Sequence, residues 1–304
     1  MNPTDKPSYV LITAARNEEA YIEKTLAAVV SQTVLPQKWV IVSDGSTDRT
    51  DEIVSEYAKK YNFIQLVRAE DQRGRDFASK VYAVDLGYEQ LKNCDYDYLG
   101  NLDADVSFDS NFYETVLTRF EQNSNLGIVG GFIYEKENGE FRSLSYNSNE
   151  DVAGATQTFR RACYEAIEGY RPLKWGGEDS VANTMALMKG WEVQSFADLK
   201  VFHYRPMGRG GGRLILRFRF NEGLRDYSVG YSPVYFLMKA IRRTFEKPYI
   251  LGSLARLVGY SWAVFRRYKR GVPRPFINFM KHEQMKKLKL LVCLFQKDLN
   301  NPIV

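Results

Sequence analysis

The sequence predicts an α/β fold with a mainly parallel central sheet, followed by a basic helical region. Three observations carry that expectation. Short apolar runs alternate with amphipathic helical stretches over roughly the first 200 residues, the pattern of a parallel sheet covered on both faces. Most of those runs end in acidic or Asn-containing turns. The charge balance then reverses: residues 1–200 carry 21 Lys and Arg against 32 Asp and Glu, whereas residues 201–304 carry 21 against 5.

The elements follow in order. Tyr9–Ala14 reads as a buried strand leading into Ala15-Arg16-Asn17-Glu18-Glu19. Asn17 can cap the next helix, with the two glutamates in its first turn, where the helix dipole favours acids. Trp39–Val42 is a second strand, ending at Ser43-Asp44-Gly45-Ser46-Thr47-Asp48, a turn and helix cap. Phe63–Val67 is a third, followed by the polar loop Arg68–Arg75 and a helix near Asp76–Leu91. Tyr96–Leu102 is a fourth, with Asp103 and Asp105 just past it and a helix around Asn111–Phe120. Ile128–Tyr134 is a fifth. Glu135–Ser148 reads as a hairpin or loop, Val152–Phe159 as β-like and Arg160–Glu168 as a short helix. Trp175–Asp179 is a glycine-containing turn that opens a helix over Ser180–Lys189, and Leu199–Tyr204 is a further strand. Beyond a Gly- and Arg-rich stretch at Arg205–Arg213, helices begin near Leu214, Pro233, Pro248 and Phe276. Pro233 and Pro248 stand where helices start.

Composition narrows the function classes. At 44% hydrophobic and 26% charged residues, the chain has the make-up of a globular protein. The three cysteines are far apart and form no C-x-x-C, which argues against a zinc site or disulfide framework and fits a reducing compartment. The polar start Met1–Ser8 lacks a signal-peptide pattern. Tyr249–Phe265 is apolar apart from Arg256 and is followed by Arg266, Arg267, Lys269 and Arg270. That pattern suits an interfacial helix with a basic end, or a basic bundle packed on the main domain. The expected setting is cytoplasmic, peripheral on the inner face of the cell membrane, with an anionic membrane surface as partner. Nucleic acid is not expected, because the acidic body lacks a recognisable binding motif.

The chemistry concentrates at strand ends. Asn17-Glu18-Glu19, Asp44 to Asp48, and Asp103-x-Asp105 each follow a strand C-terminus, the edge where open α/β sheets bind ligands. Glu178-Asp179 comes later. Carboxylates brought together raise each other's pKa unless a cation neutralises them. Two aspartates spaced i, i+2 suit a hard divalent cation, which takes oxygen ligands and often bridges to phosphates. They equally suit an Asp-rich turn.

Together and in this order, the motifs resemble those of the family 2 glycosyltransferases, over about residues 8–204. The resemblance implies a GT-A nucleotide-binding sandwich as residues 1–204, with residues 205–304 as an additional basic, aromatic region. It implies an inverting transfer from a nucleotide-diphosphate sugar to a hydroxyl acceptor; a single addition is expected from the departures below, and a glycan or lipid-linked saccharide acceptor from the basic, aromatic tail. By resemblance, Ala15, Asn17 and Glu18 lie along the nucleotide, Asp44 contacts the base, and Arg73 and Arg75 are candidates near the diphosphate. Asp48 reads as a helix cap. Asp103 and Asp105 match the D-x-D that holds Mg2+ or Mn2+, with Asp105 the more direct ligand. Glu178-Asp179 matches the E-D motif, making Asp179 the general base. His203 matches a third metal ligand, and Arg205 or Arg209 could close over the diphosphate. Each of these also has a bland reading as a turn former, cap or surface charge.

Two departures refine the expectation. Ala14 stands where the family often has Pro, and the Q-x-x-R-W element of processive synthases is absent. Arg217–Glu222 and Arg225 occupy that neighbourhood instead. A nucleotidyltransferase is the competing enzyme class, although it usually has a Gly-rich phosphate loop where this chain has the acidic Ala14–Glu19. A non-catalytic membrane-binding protein is the third reading.

Overall fold

The computed structural model describes residues 7–69, 78–137, 139–145, 147–205 and 212–300. The chain divides into two units, one of Met1–Leu173 with Glu178–Pro206 and one of Lys174–Gly177 with Met207–Val304.

The first unit alternates β1 (Tyr9–Ala15), α1 (Ile22–Val30), β2 (Lys38–Ser43), α2 (Thr50–Lys60), β3 (Ile64–Arg68), α3 (Ala78–Glu89) and β4 (Tyr98–Asn101). Three features explain why these segments pair in parallel. The strands are continuous apolar runs, buried on both faces, as sheets sandwiched by helices require. Alternate residues of β1 serve opposite cores. Tyr9 and Leu11 pack with Trp39 and Ile41, and Val10 and Ile12 pack with Val40 and Val42. Each connection carries a helix, as parallel neighbours need.

The remaining elements are β5 (Val106–Phe108), α4 (Phe112–Gln122), β6 (Leu126–Glu137), β7 (Glu140–Ser143), β8 (Thr158–Arg160), α5 (Arg161–Ala166), α6 (Glu178–Met188) and β9 (Glu192–His203). The sheet runs β3-β2-β1-β4-β8-β6-β9-β5, with β7 hairpinned on β6. The β3-β2-β1-β4 half is parallel throughout. Beyond it the sense is mixed: β8 runs antiparallel to β4 and β6, β9 parallel to β6, and β5 antiparallel to β9. β9 extends well upstream of the expected Leu199 start, and of the β-like Val152–Phe159 only the last two residues join a strand.

The second unit contains α7 (Gly212–Ser228), α8 (Pro233–Arg242), a 3-10 turn (Arg243–Phe245), α9 (Ile250–Phe265) and α10 (Arg274–Asn300). Ser232 caps α8, its hydroxyl accepting from the Tyr235 N–H at 3.2 Å, with Pro233 in the first turn. α7 and α9 cross at two glycines. A Cβ on Gly223 would lie 2.1 Å from the Arg256 carbonyl oxygen, and one on Gly259 the same distance from that of Phe220. Arg256, which interrupts the apolar run of α9, is 1% exposed and pairs with Glu222 at 2.9 Å. Arg219 at 3.0 Å and Arg243 at 3.1 Å complete the shell around Glu222, with Arg225 at 3.7 Å. Burial pushes the Glu222 carboxyl up, but Arg225, Arg256, Arg243 and Arg219 outweigh it and hold it at about 2. Among the described residues no helix is long and apolar enough to cross a membrane.

Candidate active site

Register assembles the site. β4 ends at Asn101, and Asp103 fixes the exit of the chain by donating its N–H to the Ala155 carbonyl at 3.0 Å. Three residues later β5 begins and pairs Val106 with His203, so Asp105 emerges beside the imidazole. His203 Nε2 lies 3.3 Å from Asp105 Oδ1. β6 runs along the other side of β9 in a register that matches Glu135 with His203, leaving Glu135 Oε1 3.5 Å from Nδ1. Thr25 of α1 anchors this corner: its hydroxyl donates to the Val106 carbonyl at 2.7 Å and accepts from the Val106 N–H at 3.0 Å.

Asp103, Asp105 and His203 each direct one donor atom to a common region, all within 4.8 Å of one another. Two carboxylate oxygens and an imidazole nitrogen fit a divalent cation of the Mg2+ or Mn2+ kind. Glu135 behind Nδ1 matches the carboxylate–histidine pairing that orients a metal-bound imidazole. Burial pushes the His203 imidazole down, yet Asp105 and Glu135 outweigh it and raise it to about 10. A cation that takes Nε2 must therefore displace a proton.

These three residues open onto a cleft of about 350 Å3, which is also lined by Ala15, Glu18, Asp44 and Arg205 among the expected residues. Burial first, and then the charge of Asp105, push the Glu18 carboxyl up to about 7, with Arg205 opposing them. Arg205 pairs with Glu18 and lies 3.7 Å from Asp105 Oδ2.

Asn17 does not line the cleft. It adopts a left-handed backbone, φ 54°, and its side-chain oxygen accepts from the Thr47 N–H at 2.8 Å. It thus ties the loop after β1 to the loop after β2. Asp48 is similarly occupied, accepting from the Thr50 N–H at 3.0 Å and the Glu19 N–H at 3.1 Å, as a turn and capping residue does. Arg73, Arg75 and Arg209 lie outside the described residues.

Glu178 and Asp179 form the first turn of α6 and are not part of the cleft lining. Asp179 Oδ2 accepts the Gly154 N–H at 3.1 Å, and Oδ1 accepts the Ser180 N–H at 2.7 Å. Gly154 allows this approach: a Cβ there would sit 3.1 Å from the Asp179 side chain. Beneath the turn, Gln157 donates to Asn183 Oδ1 at 2.7 Å and accepts from Tyr170 at 2.5 Å. This buried polar set holds the start of α6 in place. Burial pushes the Glu178 carboxyl up, with Lys80 pulling against it.

Two cleft cations escape a motif reading. Lys80 donates to Asp103 Oδ1 at 2.6 Å and also feels the charges of Glu178 and Asp179. Arg16 lies 3.3 Å from Asp44. Glu135 is the third omission. The sequence pattern ends this strand at Tyr134 and leaves Glu135 in a hairpin or loop, whereas β6 runs on to Glu137 and its register with β9 pairs Glu135 with His203.

The sequence profile described as "Glycosyl transferase family 2" matches residues 10–178. A poly-beta-1,6-N-acetyl-D-glucosamine synthase of Staphylococcus epidermidis is 30% identical over 156 residues, which is 48% of this chain and 36% of the synthase. The chain thus spans about a third of that relative. Among solved structures, S. aureus TarS 1–349 in complex with UDP-GlcNAc aligns with TM-score 0.53 at 18% identity, over 74% of this chain and 67% of TarS. The mannosyltransferase PcManGT from Pyrobaculum calidifontis, in complex with GDP-Man and Mn2+, aligns with TM-score 0.56 at 17% identity, over 94% of this chain and 82% of its own. These structures share the fold described above.

Proposed function

Because the chain belongs to glycosyl transferase family 2, we propose that it is an inverting, metal-dependent glycosyltransferase that moves one sugar from a nucleotide-diphosphate sugar to a hydroxyl acceptor. The observation that carries this reading is the meeting of Asp103, Asp105 and His203 at a cleft that Glu18 and Asp44 also line. Residues 1–204 form the catalytic domain in this reading.

Ala15, Glu18 and Asp44 line the nucleotide's path, and Asn17 shapes it through its bond to Thr47. Arg75 is a candidate for the diphosphate. Asp105 and His203 would hold Mg2+ or Mn2+, with Asp103 beside them toward the ribose or the cation. The cation, when bound, offsets negative charge on the departing diphosphate. Arg205, already beside Glu18 and Asp105, adds a second positive charge there.

Asp179 takes the proton of the acceptor hydroxyl as its oxygen bonds to the anomeric carbon. The bond from that carbon to the diphosphate oxygen breaks, and the nucleoside diphosphate leaves with the electron pair. The N–H groups of Gly154 and Ser180 orient the carboxylate and leave further lone pairs for the incoming proton. Glu178 flanks the base. TarS was crystallised with UDP-GlcNAc and PcManGT with GDP-Man and Mn2+, which supports a nucleotide-sugar donor and a cation here. The S. epidermidis relative is named for a polymer. We favour single addition for this chain, because the Q-x-x-R-W element is absent from its sequence.

The acceptor we favour is a lipid-linked saccharide or surface glycan, met at the cytoplasmic face of a membrane. A thermal-shift screen of nucleotide-diphosphate sugars with and without Mn2+ tests donor and cation together. Release of nucleoside diphosphate supports transfer. Release of pyrophosphate moves the chain to the nucleotidyltransferases, and a donor-independent melting curve removes the donor assignment.

A further inference from the structure

Thirteen of the seventeen exposed large apolar side chains among the described residues fall between Val234 and Phe265. They recur at helical spacing. α8 and the turn after it expose Val234, Leu237, Ile241 and Phe245, and α9 exposes Ile250, Leu254, Val258, Trp262 and Phe265. Each helix also has a buried face. Phe236 of α8 stacks on Tyr260 of α9 at 4.2 Å, and Ser253 donates to the Ala240 carbonyl at 2.8 Å. The exposed stripes are therefore surplus to the packing between these helices, and they exceed the scattered apolar exposure of an ordinary surface.

Charge identifies the occupant. Between Tyr231 and Arg274 there are ten Lys and Arg and a single acid, Glu246. That acid is already paired with Arg243 and Arg256. Arg242 and Lys247 stand exposed beside the α8 stripe, and Arg266, Arg267 and Lys269 at the end of α9. A second copy would bring like charges face to face. An anionic bilayer instead offers hydrocarbon to the stripes and headgroup charge to the basic rim. Tyr249 and Trp262 are of the type enriched at that boundary. A shallow recess of about 410 Å3 on α9, lined by Leu257, Val258, Ser261, Trp262 and Phe265, is apolar and open enough for a lipid tail.

We propose that the exposed faces of α8 and α9 form a docking surface for an anionic lipid bilayer, entered by Trp262 and Phe265 and steered by Arg266, Arg267 and Lys269. This deepens the membrane setting of the proposed function and leaves the transfer chemistry independent of it.

Flotation of the full chain with vesicles of phosphatidylcholine, alone or mixed with phosphatidylglycerol, tests the surface. Binding at least about tenfold stronger to the anionic vesicles is expected. The pair Trp262→Glu and Phe265→Glu should abolish it while the circular dichroism and the donor-induced thermal shift stay unchanged. The triple Arg266→Gln, Arg267→Gln and Lys269→Gln should weaken it by about fivefold per removed charge. Equal binding to neutral vesicles, undiminished binding by the glutamate pair, or no binding by the native chain would each overturn the proposal. So would sedimentation showing a dimer that the glutamate pair dissociates, since a second copy would then cover the face. Vesicle binding without donor binding would instead leave this surface standing and remove the transferase reading.

Discussion

His203 Nε2 stands 3.3 Å from Asp105 Oδ1, a contact fixed by the antiparallel pairing of β5 with β9. Glu135 lies behind the same ring. Replacing His203 by Ala should weaken Mn2+ affinity by more than about a hundredfold. Glu135→Gln, which leaves the ligands intact, should weaken it by about tenfold to a hundredfold. Isothermal titration of Mn2+ with nucleoside diphosphate present reads both. Unchanged affinity in His203→Ala would remove it from the ligand set.

Asp179→Asn should lower kcat by about 10^2- to 10^4-fold. Donor affinity should stay within about twofold, because binding does not need the proton acceptor. The amide can still accept one of the two N–H groups that Asp179 holds, so the turn should persist. Steady-state kinetics beside a donor titration separate the two quantities, and full activity would exclude Asp179 as the base.

Lys80→Met removes the cation bonded to Asp103. Two effects of opposite sign follow. With one positive charge gone from the cleft, Mn2+ alone should bind about fivefold more tightly, while the nucleotide diphosphate should bind about fivefold more weakly. Parallel titrations with Mn2+ and with the nucleotide distinguish this from general unfolding, which would weaken both.

Glu222 makes stability depend on pH. Its folded pKa of about 2 lies below the model-compound value of 4.5, so the carboxylate stabilises the folded state fully above about pH 4.5. That contribution, about 3 kcal/mol, is lost as pH falls toward 2. Glu222→Gln should destabilise the second unit at neutral pH by about 3 to 5 kcal/mol, because it strands buried guanidinium charge. The variant should also lose much of the slope of stability against pH between 4.5 and 2. Urea melts across that range measure it.

Much of the first half of the fold could be read from residues. β1 and β2 are apolar on both faces, and only a helix-covered strand tolerates that. Asp103 and Asp105 announced themselves by following such a strand. The later strands were harder. β5 has three residues, too few for any period to emerge. The opening of β9 alternates in burial, but Ser195, Ala197 and Asp198 hide the rhythm from a hydropathy reading. Lys80, Arg16 and Glu135 have no local signature, because each is defined by a partner distant in the chain. Arg256 interrupts an apolar helix, and its reason lies in another helix, in the buried Glu222 it pairs with.

The pairing of β9 with β5 also sets when the cation group can exist. Asp103 and Asp105 are made early in the chain, but His203 is the last residue of the final strand of the first unit. A polypeptide that stops before Glu192 carries both aspartates and lacks the strand that brings them their third partner. The cation group is therefore a property of the completed sheet, absent until β9 has paired with β5. It is available as a reporter of complete assembly: a truncated or misregistered chain would betray itself by indifference to Mn2+ before any loss of helix content became visible.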